Sequence, residues 1–193
     1  MPSLSPPVVA PGSLGSTPQP SFHAGDLLIR PWEPADGPAV QAAYEDPTIQ
    51  RWHGELLSDA EAATYAADWA GLWKTERRAG WVVVRDDVLV GRITLTHLML
   101  ESGQGEVTYW VVPRARGAGV APRAVEAVTT WAFELGLHRL ELVHSTQNDA
   151  SCRVATKAGF ALEGTLRRQG LHADGWHDMH LHARLSDDPL IEH

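Results

Sequence analysis

The apolar positions of this chain follow two repeats, one of two residues and one of about 3.6, which predict strands and helices respectively. In the last predicted strand, Met179, Leu181, Ala183 and Leu185 alternate with polar residues, so we expect one apolar and one polar face. The predicted strands cover residues 27–32, 81–85, 88–95, 106–112, 139–145, 160–166 and the segment ending at Leu185. Asp86-Asp87 separates the second strand from the third, which predicts a hairpin.

Four segments have the helical repeat. Asp36 can cap a helix that runs to about residue 45, where Asp46-Pro47 is expected to end it. Ser58 and Glu61 have the spacing of a capping box, which predicts a helix to about residue 78. The remaining two helices are predicted near residues 121–135 and 150–158. Together the elements predict an α+β fold, with a mostly antiparallel sheet of about seven strands, about four helices and a central strand–helix–strand unit.

Composition narrows the class of protein. The 193 residues are 44% hydrophobic, enough for one packed domain, which we expect over residues 23–193. Residues 1–22 are rich in Pro, Ser and Gly and nearly uncharged, which predicts a disordered tail. The net charge of −8, without a basic block, argues against nucleic-acid binding. The single cysteine excludes an internal disulfide, and no apolar run approaches the roughly 20 residues of a membrane span. With no recognisable signal peptide, we expect a cytoplasmic protein that does not bind membranes.

The most informative segment is residues 111–121, where an apolar strand meets a basic, glycine-containing turn and then a helix. Gly117 and Gly119 allow close backbone approach, and the free N–H groups of a helix N-terminus attract phosphate. The segment is neither a Walker A loop nor a dinucleotide fingerprint, because the required spacings are absent.

The sequence Arg-Gly-Ala-Gly-Val-Ala at residues 116–121 resembles the Q/R-x-x-G-x-G/A pyrophosphate-binding pattern of the GNAT superfamily of acyl-CoA-dependent N-acyltransferases. Its context, at residues 106–113, 131–133, 148–151 and 157–164, is similar to the RimJ/RimL-type branch, which includes ribosomal-protein and small-molecule acetyltransferases. The resemblance spans roughly residues 26–186. It implies the GNAT fold, acetyl-CoA as cosubstrate, no metal, and transfer of an acetyl group to a primary amine.

The resemblance also implies site residues. The amides of the 116–121 turn would wrap the pyrophosphate, the strand edge at Val111 and Val112 would pair with the pantetheine arm, and Asn148 would bind that arm. Ser151 would protonate the departing thiolate. In the alternative, Asn148 is simply an N-cap and Ser151 a residue of a first helical turn. The expected cofactor-binding residues are Val111, Val112, Arg114, Arg116, Gly117, Ala118, Gly119, Val120, Ala121 and Asn148; whether the two arginine side chains reach phosphate or are only solvated stays open.

Acyl transfer to an amine needs a base, because an ammonium has no lone pair. Glu106 is the candidate, since it shares a strand face with Thr108 and Trp110 and an apolar neighbour raises the proton affinity of a carboxylate. The alternative is an ordinary solvent-exposed glutamate at a strand start.

The ten histidines raise the question of a metal. His172, His177, His180 and His182 lie close together in sequence, but no cysteine partner exists and the family that the chain resembles needs no metal, so we expect a polar strand face and no metal site. Three other histidines are candidates for lining an acceptor pocket or moving a proton: His53, His97 and His144. Cys152 is expected to be a small buried helix residue.

The sequence thus predicts an N-acetyltransferase whose partner is a protein N-terminus or a small amine such as an amino acid, a polyamine or an antibiotic. The alternative is a non-catalytic acyl-CoA-binding module on the same fold. A homodimer is left open.

Overall fold

A computed structural model describes residues 5–54 and 56–189 of the chain. These residues form a single eight-stranded sheet and five α-helices, so the predicted α+β fold is confirmed with one strand and one helix more than expected. The strands are β1 (Phe22–Ala24), β2 (Leu27–Pro31), β3 (Ala79–Arg85), β4 (Val88–Met99), β5 (Gln104–Val111), β6 (Arg139–Ser145), β7 (Ala161–His172) and β8 (Gly175–Leu185). The helices are α1 (Gly37–Tyr44), α2 (Pro47–His53), α3 (Asp59–Lys74), α4 (Val120–Glu134) and α5 (Asp149–Lys157).

The sheet has the order β1-β2-β3-β4-β5-β6-β8-β7. The pairing of β5 with β6 is parallel, and the other pairings are antiparallel. The parallel pair keeps register over only three positions, from Gln104↔Arg139 to Glu106↔Glu141. Beyond that point the two strands have no paired positions although both continue, and this opens a gap in the middle of the sheet.

Short sequence motifs mark the start of α3 and the turn between β3 and β4. The capping box is confirmed, because Ser58 Oγ accepts from the Glu61 N–H at 3.3 Å while the Glu61 carboxylate accepts from the Ser58 N–H at 2.9 Å. Asp86 and Asp87 have φ values of 51° and 59°, as a tight hairpin between β3 and β4 requires.

Helix α2 was missed in the sequence. Asp46-Pro47 was expected to stop a helix, but it also starts one, because Asp46 is the N-cap and its carboxylate accepts from the Ile49 N–H at 3.0 Å. Pro47 occupies the first turn, where its missing N–H has no intrahelical partner to lose. The same dipeptide therefore separates α1 from α2.

The expected disordered tail is not seen over residues 5–22, which lie against the body of the protein. Val9 and Leu14 are buried in the main core at 3% and 1% exposure. The Glu76 carboxylate accepts from the backbone N–H groups of Gly12 and Leu14, each at 2.7 Å. The composition indicated disorder, but a few apolar residues and these backbone hydrogen bonds suffice to hold the otherwise polar segment 5–22 against the core.

The predicted polar face of β8 is buried toward its C-terminal end, although Asp178 is exposed. His182 is 2% exposed and Arg184 is 6% exposed, because α5 and the loop after it cover that face. Arg184 donates to the carbonyl of Ala158 at 3.1 Å, which satisfies part of its buried guanidinium. Among the described residues, no helix combines the length and apolar character that crossing a membrane requires.

Candidate active site

The gap between β5 and β6 contains a cavity of about 700 Å³. Its walls are the exposed edge of β5, the turn before α4, the start of α5 and the side of α2. Where paired strands separate, unpaired backbone groups remain available to an extended ligand. The cavity therefore joins, in one space, the elements to which the sequence assigned the cofactor and the chemistry.

The glycine turn forms one end of the cavity. Gly117 and Gly119 have φ values of 78° and 70°, and Gly119 is the N-cap of α4. A Cβ atom built on Gly117 would meet no protein atom within 4 Å, so its outer face is open toward the cavity. The N-terminal N–H groups of α4, at the positive end of the helix dipole, make this end suitable for phosphate.

Some of the predicted cofactor-binding residues line the cavity and others do not. The cavity wall includes Val111, Arg116, Gly117, Gly119, Val120, Ala121 and Asn148. Three others lie outside that wall. The Val112 N–H donates to the Val90 carbonyl, the Arg114 guanidinium donates to the carbonyl of Leu89 on β4, and Ala118 is exposed on the turn.

The guanidinium of Arg116 is held by the protein itself. It donates to Asp46 Oδ1 at 2.7 Å and to the carbonyl of Val111 at 3.0 Å. Burial opposes ionisation of Asp46, but hydrogen bonds from Arg116 and from the Ile49 N–H outweigh it and lower the pKa of Asp46. Arg116 thus links α2 to the edge of β5 and occupies the Val111 carbonyl that an extended ligand would otherwise meet.

At the middle of the cavity, Ser151 and Tyr109 face each other. Their hydroxyl oxygens are 2.9 Å apart, and Ser151 is 8% exposed. Burial raises the pKa of Tyr109 to about 12, against a smaller opposing effect of the Ser151 hydrogen bond, so the phenol keeps its proton. Asn148 is the N-cap of α5, and its Oδ1 accepts from the Ser151 N–H at 3.1 Å. Its capping role therefore holds, and the same residue lines the cavity.

Glu106 lies in the wall near the point where β5 and β6 part. Its side chain is 21% exposed, and His97 Nδ1 donates to its Oε2 at 2.8 Å. Burial raises the pKa of Glu106, while the His97 hydrogen bond opposes that shift. His97 reaches this position because β4 has an irregularity between Thr96 and Met99, where His97 takes a φ of 46°.

The missed helix α2 supplies part of the wall. His53 is hydrogen-bonded to the backbone of Tyr109, yet burial, followed by the charge of Arg92, lowers the pKa of His53 to about 3. It is therefore a neutral group at neutral pH. Trp52 lines the same end and packs edge-on against His172, with ring centroids 5.7 Å apart. His53, a candidate for lining an acceptor pocket in the sequence, thus lies in the cavity wall on a helix that starts at Asp46-Pro47.

Residues 26–161 match the model of the acetyltransferase (GNAT) domain family, which is well over half of the chain. The chain belongs to this family.

Individual acetyltransferases are similar to this one in sequence and in fold. It is 29% identical over 154 residues to YoaA of Bacillus subtilis strain 168, described as an uncharacterized N-acetyltransferase, covering 77% of this chain and 87% of that protein. It is 28% identical over 108 residues to the ribosomal-protein-serine acetyltransferase of Escherichia coli strain K12, covering 55% and 60% of the two chains. A RimL ribosomal L7/L12 α-N-protein acetyltransferase solved with coenzyme A has the same fold, with a TM-score of 0.80, 17% identity and coverage of 86% and 98%. The acetyltransferase is thus RimJ/RimL-like.

Proposed function

We propose that this acetyltransferase transfers the acetyl group of acetyl-CoA to a primary amine, with the α-amino group of a protein N-terminus as the first acceptor class to test. The observation that carries this is the single cavity that runs from the glycine turn, past Ser151, to Glu106. The pyrophosphate would lie on the turn before α4, and the acceptor amine would enter near Glu106. The names of the ribosomal-protein relatives support a protein acceptor.

In the proposed reaction the ammonium of the acceptor first loses a proton to Glu106, directly or through water. The neutral amine then attacks the thioester carbonyl carbon, and the nitrogen of the tetrahedral intermediate releases its second proton to solvent. The carbon–sulfur bond breaks as the intermediate collapses to the amide. The raised pKa of Glu106 suits this role, since a base acts best when its proton affinity lies near the working pH. His97 donates to the Glu106 carboxylate and would orient it.

The departing thiolate of coenzyme A would take its proton from Ser151. Tyr109 supplies the second hydroxyl of this pair and stays protonated because of its burial, so it can return a proton to Ser151. A thiolate is a weaker base than an alkoxide, so this step needs less assistance than the loss of the ammonium proton. We therefore assign the larger kinetic effect to Glu106.

The proposal is tested by measuring thiol release from acetyl-CoA with a panel of N-terminal peptides, amino acids, polyamines and aminoglycosides. We expect turnover on peptides with a free α-amine, its loss on N-acetylated peptides of the same sequence, and a sharp fall in kcat with Glu106→Gln at unchanged acetyl-CoA affinity. Turnover on small amines alone would overturn the protein acceptor. Tight acetyl-CoA binding without turnover on any amine would instead support a non-catalytic acyl-CoA-binding module.

A further inference from the structure

Four potential metal ligands lie together beneath α5. They are His144 on β6, His180 and His182 on β8, and Cys152 on α5, and their ligand atoms all lie within 4.8 Å of one another. His144 is directly opposite His180 in the β6–β8 pairing, so the three histidines share the face of the sheet that α5 covers. Cys152 is distant in sequence from the other three, yet its Sγ lies 3.9 Å from His182 Nε2.

The hydrogen bonds of two of these rings leave one nitrogen of each free for a ligand. His144 Nδ1 is 2.8 Å from the carbonyl of Ser145, and His182 Nδ1 is 3.2 Å from the carbonyl of Phe160. A carbonyl only accepts, so each Nδ1 carries the proton and each Nε2 of a neutral ring keeps its lone pair. Backbone anchoring of the far nitrogen is the usual arrangement of metal-ligating histidines.

Two ring nitrogens of the cluster lack partners within the described protein. Over the part of the chain that the structure describes, neither His144 Nε2 nor His180 Nδ1 has a hydrogen-bond partner, although both atoms are buried. His144 is only 5% exposed and His182 only 2%. A buried polar atom without a partner is unfavourable, so two such atoms converging beside the Cys152 thiol need a reason. A bound cation would satisfy them together.

The geometry points to a metal site formed by His144, Cys152, His180 and His182 that takes a zinc-type divalent ion. Imidazole and thiolate ligands are those that Zn²⁺ prefers, and four of them complete a tetrahedral structural site. Bonds of about 2.0–2.3 Å hold tetrahedral ligand atoms closer together than the present cluster, so the side chains must close inward on the ion. The Cys152 thiol releases its proton to solvent as the metal binds.

The metal would hold α5 in place and would take no part in the acetyl transfer. It ties α5 to both β6 and β8, and Ser151 is the residue before Cys152 on α5. One ground for expecting no metal from the sequence was the lack of a cysteine partner, and the fold supplies that partner as Cys152. The proposal does not depend on the identity of the amine acceptor.

Cobalt substitution tests the site in the full-length, tag-free protein. After treatment with a chelator, one equivalent of Co²⁺ is expected to give visible bands of a tetrahedral ion and a thiolate-to-cobalt charge-transfer band. Because Cys152 is the only cysteine, that band reports this one residue. Zn²⁺ is expected to displace the cobalt at a ratio of one per chain and to raise the thermal midpoint of unfolding.

Variants separate this site from surface binding. Cys152→Ser and His182→Gln are expected to abolish the charge-transfer band and the thermal shift by Zn²⁺, while His23→Gln, at an exposed position on β1, retains both. The circular dichroism spectrum checks folding, and Cys152→Ser provides the test if His182→Gln does not fold. Cobalt bound without a thiolate band, or a band that survives in folded His182→Gln, would overturn the proposal, as would no binding at all.

Discussion

Tyr109 Oη and Ser151 Oγ lie 2.9 Å apart and join β5 to α5 across the central cavity. The two residues are 42 positions apart in sequence, and only the crossover through α4 and β6 brings them together. Neither strand periodicity nor helix capping indicates this contact. It makes the hydroxyl pair, rather than Ser151 alone, the unit to test.

Removing the Ser151 hydroxyl is expected to slow the reaction without weakening cofactor binding. We expect Ser151→Ala to lower kcat by about 10²-fold, the lower end of the range for general acid catalysis, because the thiolate leaving group is only weakly basic. Tyr109→Phe is expected to have a smaller effect of the same kind. Steady-state kinetics measure both, and Ser186→Ala, at an exposed position after β8, is the matched control. A kcat equal to wild type in Ser151→Ala would rule out the proton-donor role.

The pH dependence of turnover is expected to follow Glu106. The carboxylate must be ionised to act as a base, and burial raises its pKa above the ordinary value of 4.5. We therefore expect kcat/KM to fall as pH drops through this raised pKa, and Glu106→Gln to remove that acid limb along with most of the activity. His97→Gln, which removes the opposing hydrogen bond, is expected to move the limb to higher pH. A limb that does not move would contradict the pairing.

The same shift predicts a stability cost at neutral pH. Because the folded-state pKa of Glu106 is raised, the folded protein favours the protonated form; this contribution is present below the unfolded pKa and lost as pH rises through the folded pKa. Glu106→Gln is therefore expected to unfold at a higher temperature than wild type at pH 7, with the difference shrinking near pH 4. Thermal unfolding across pH measures this. Glu101→Gln, at an exposed position, is expected to show no such trend.

The glycine turn is tested by a pair of alanine substitutions with the same backbone strain. Gly117 and Gly12 have φ values of 78° and 88°, and a Cβ on either would meet nothing within 4 Å. Each substitution is expected to cost about 1 kcal/mol of stability, because alanine disfavours positive φ. Only Gly117→Ala is expected to raise the KM for acetyl-CoA, since its Cβ would occupy the proposed pyrophosphate position. An equal KM in both variants would remove the turn from the cofactor site.

The N-terminal segment is expected to contribute measurably to stability. The Glu76 carboxylate accepts from the N–H groups of Gly12, Leu14 and Gly15, and these hydrogen bonds outweigh the opposing effect of burial and lower its pKa. We expect Glu76→Ala to cost about 2 kcal/mol at pH 7, in the range of hydrogen bonds to a charged group. Urea unfolding measures the loss, with Glu45→Ala, at an exposed position, as control.

The sign of the pH effect gives a second test of Glu76. A lowered folded-state pKa stabilises the protein above the unfolded value of 4.5, and this stability is lost as pH falls through the folded pKa. The difference between wild type and Glu76→Ala is therefore expected to shrink in acid. A difference that stays constant with pH would mean that the carboxylate charge does not hold the segment.

Features that depend only on neighbours along the chain could be predicted from the sequence. The Ser58–Glu61 capping box, the Asp86-Asp87 hairpin and the turn at Gly117 and Gly119 all appear as predicted, because their hydrogen bonds and φ values are set within a few residues. Glu106 lies on the predicted strand and in the cavity wall, and its role as the base stays a prediction.

Features that join distant segments become visible only in the folded protein. Val9 and Leu14 are held in the core by contacts with elements far along the chain, so composition could not indicate them. The arrangement of Tyr109 with Ser151, and of Cys152 with His182, follows from how α5 packs on the sheet. These side chains meet because of the register between strands that are distant in sequence and the position of α5 on the sheet. Local propensity does not encode either of them.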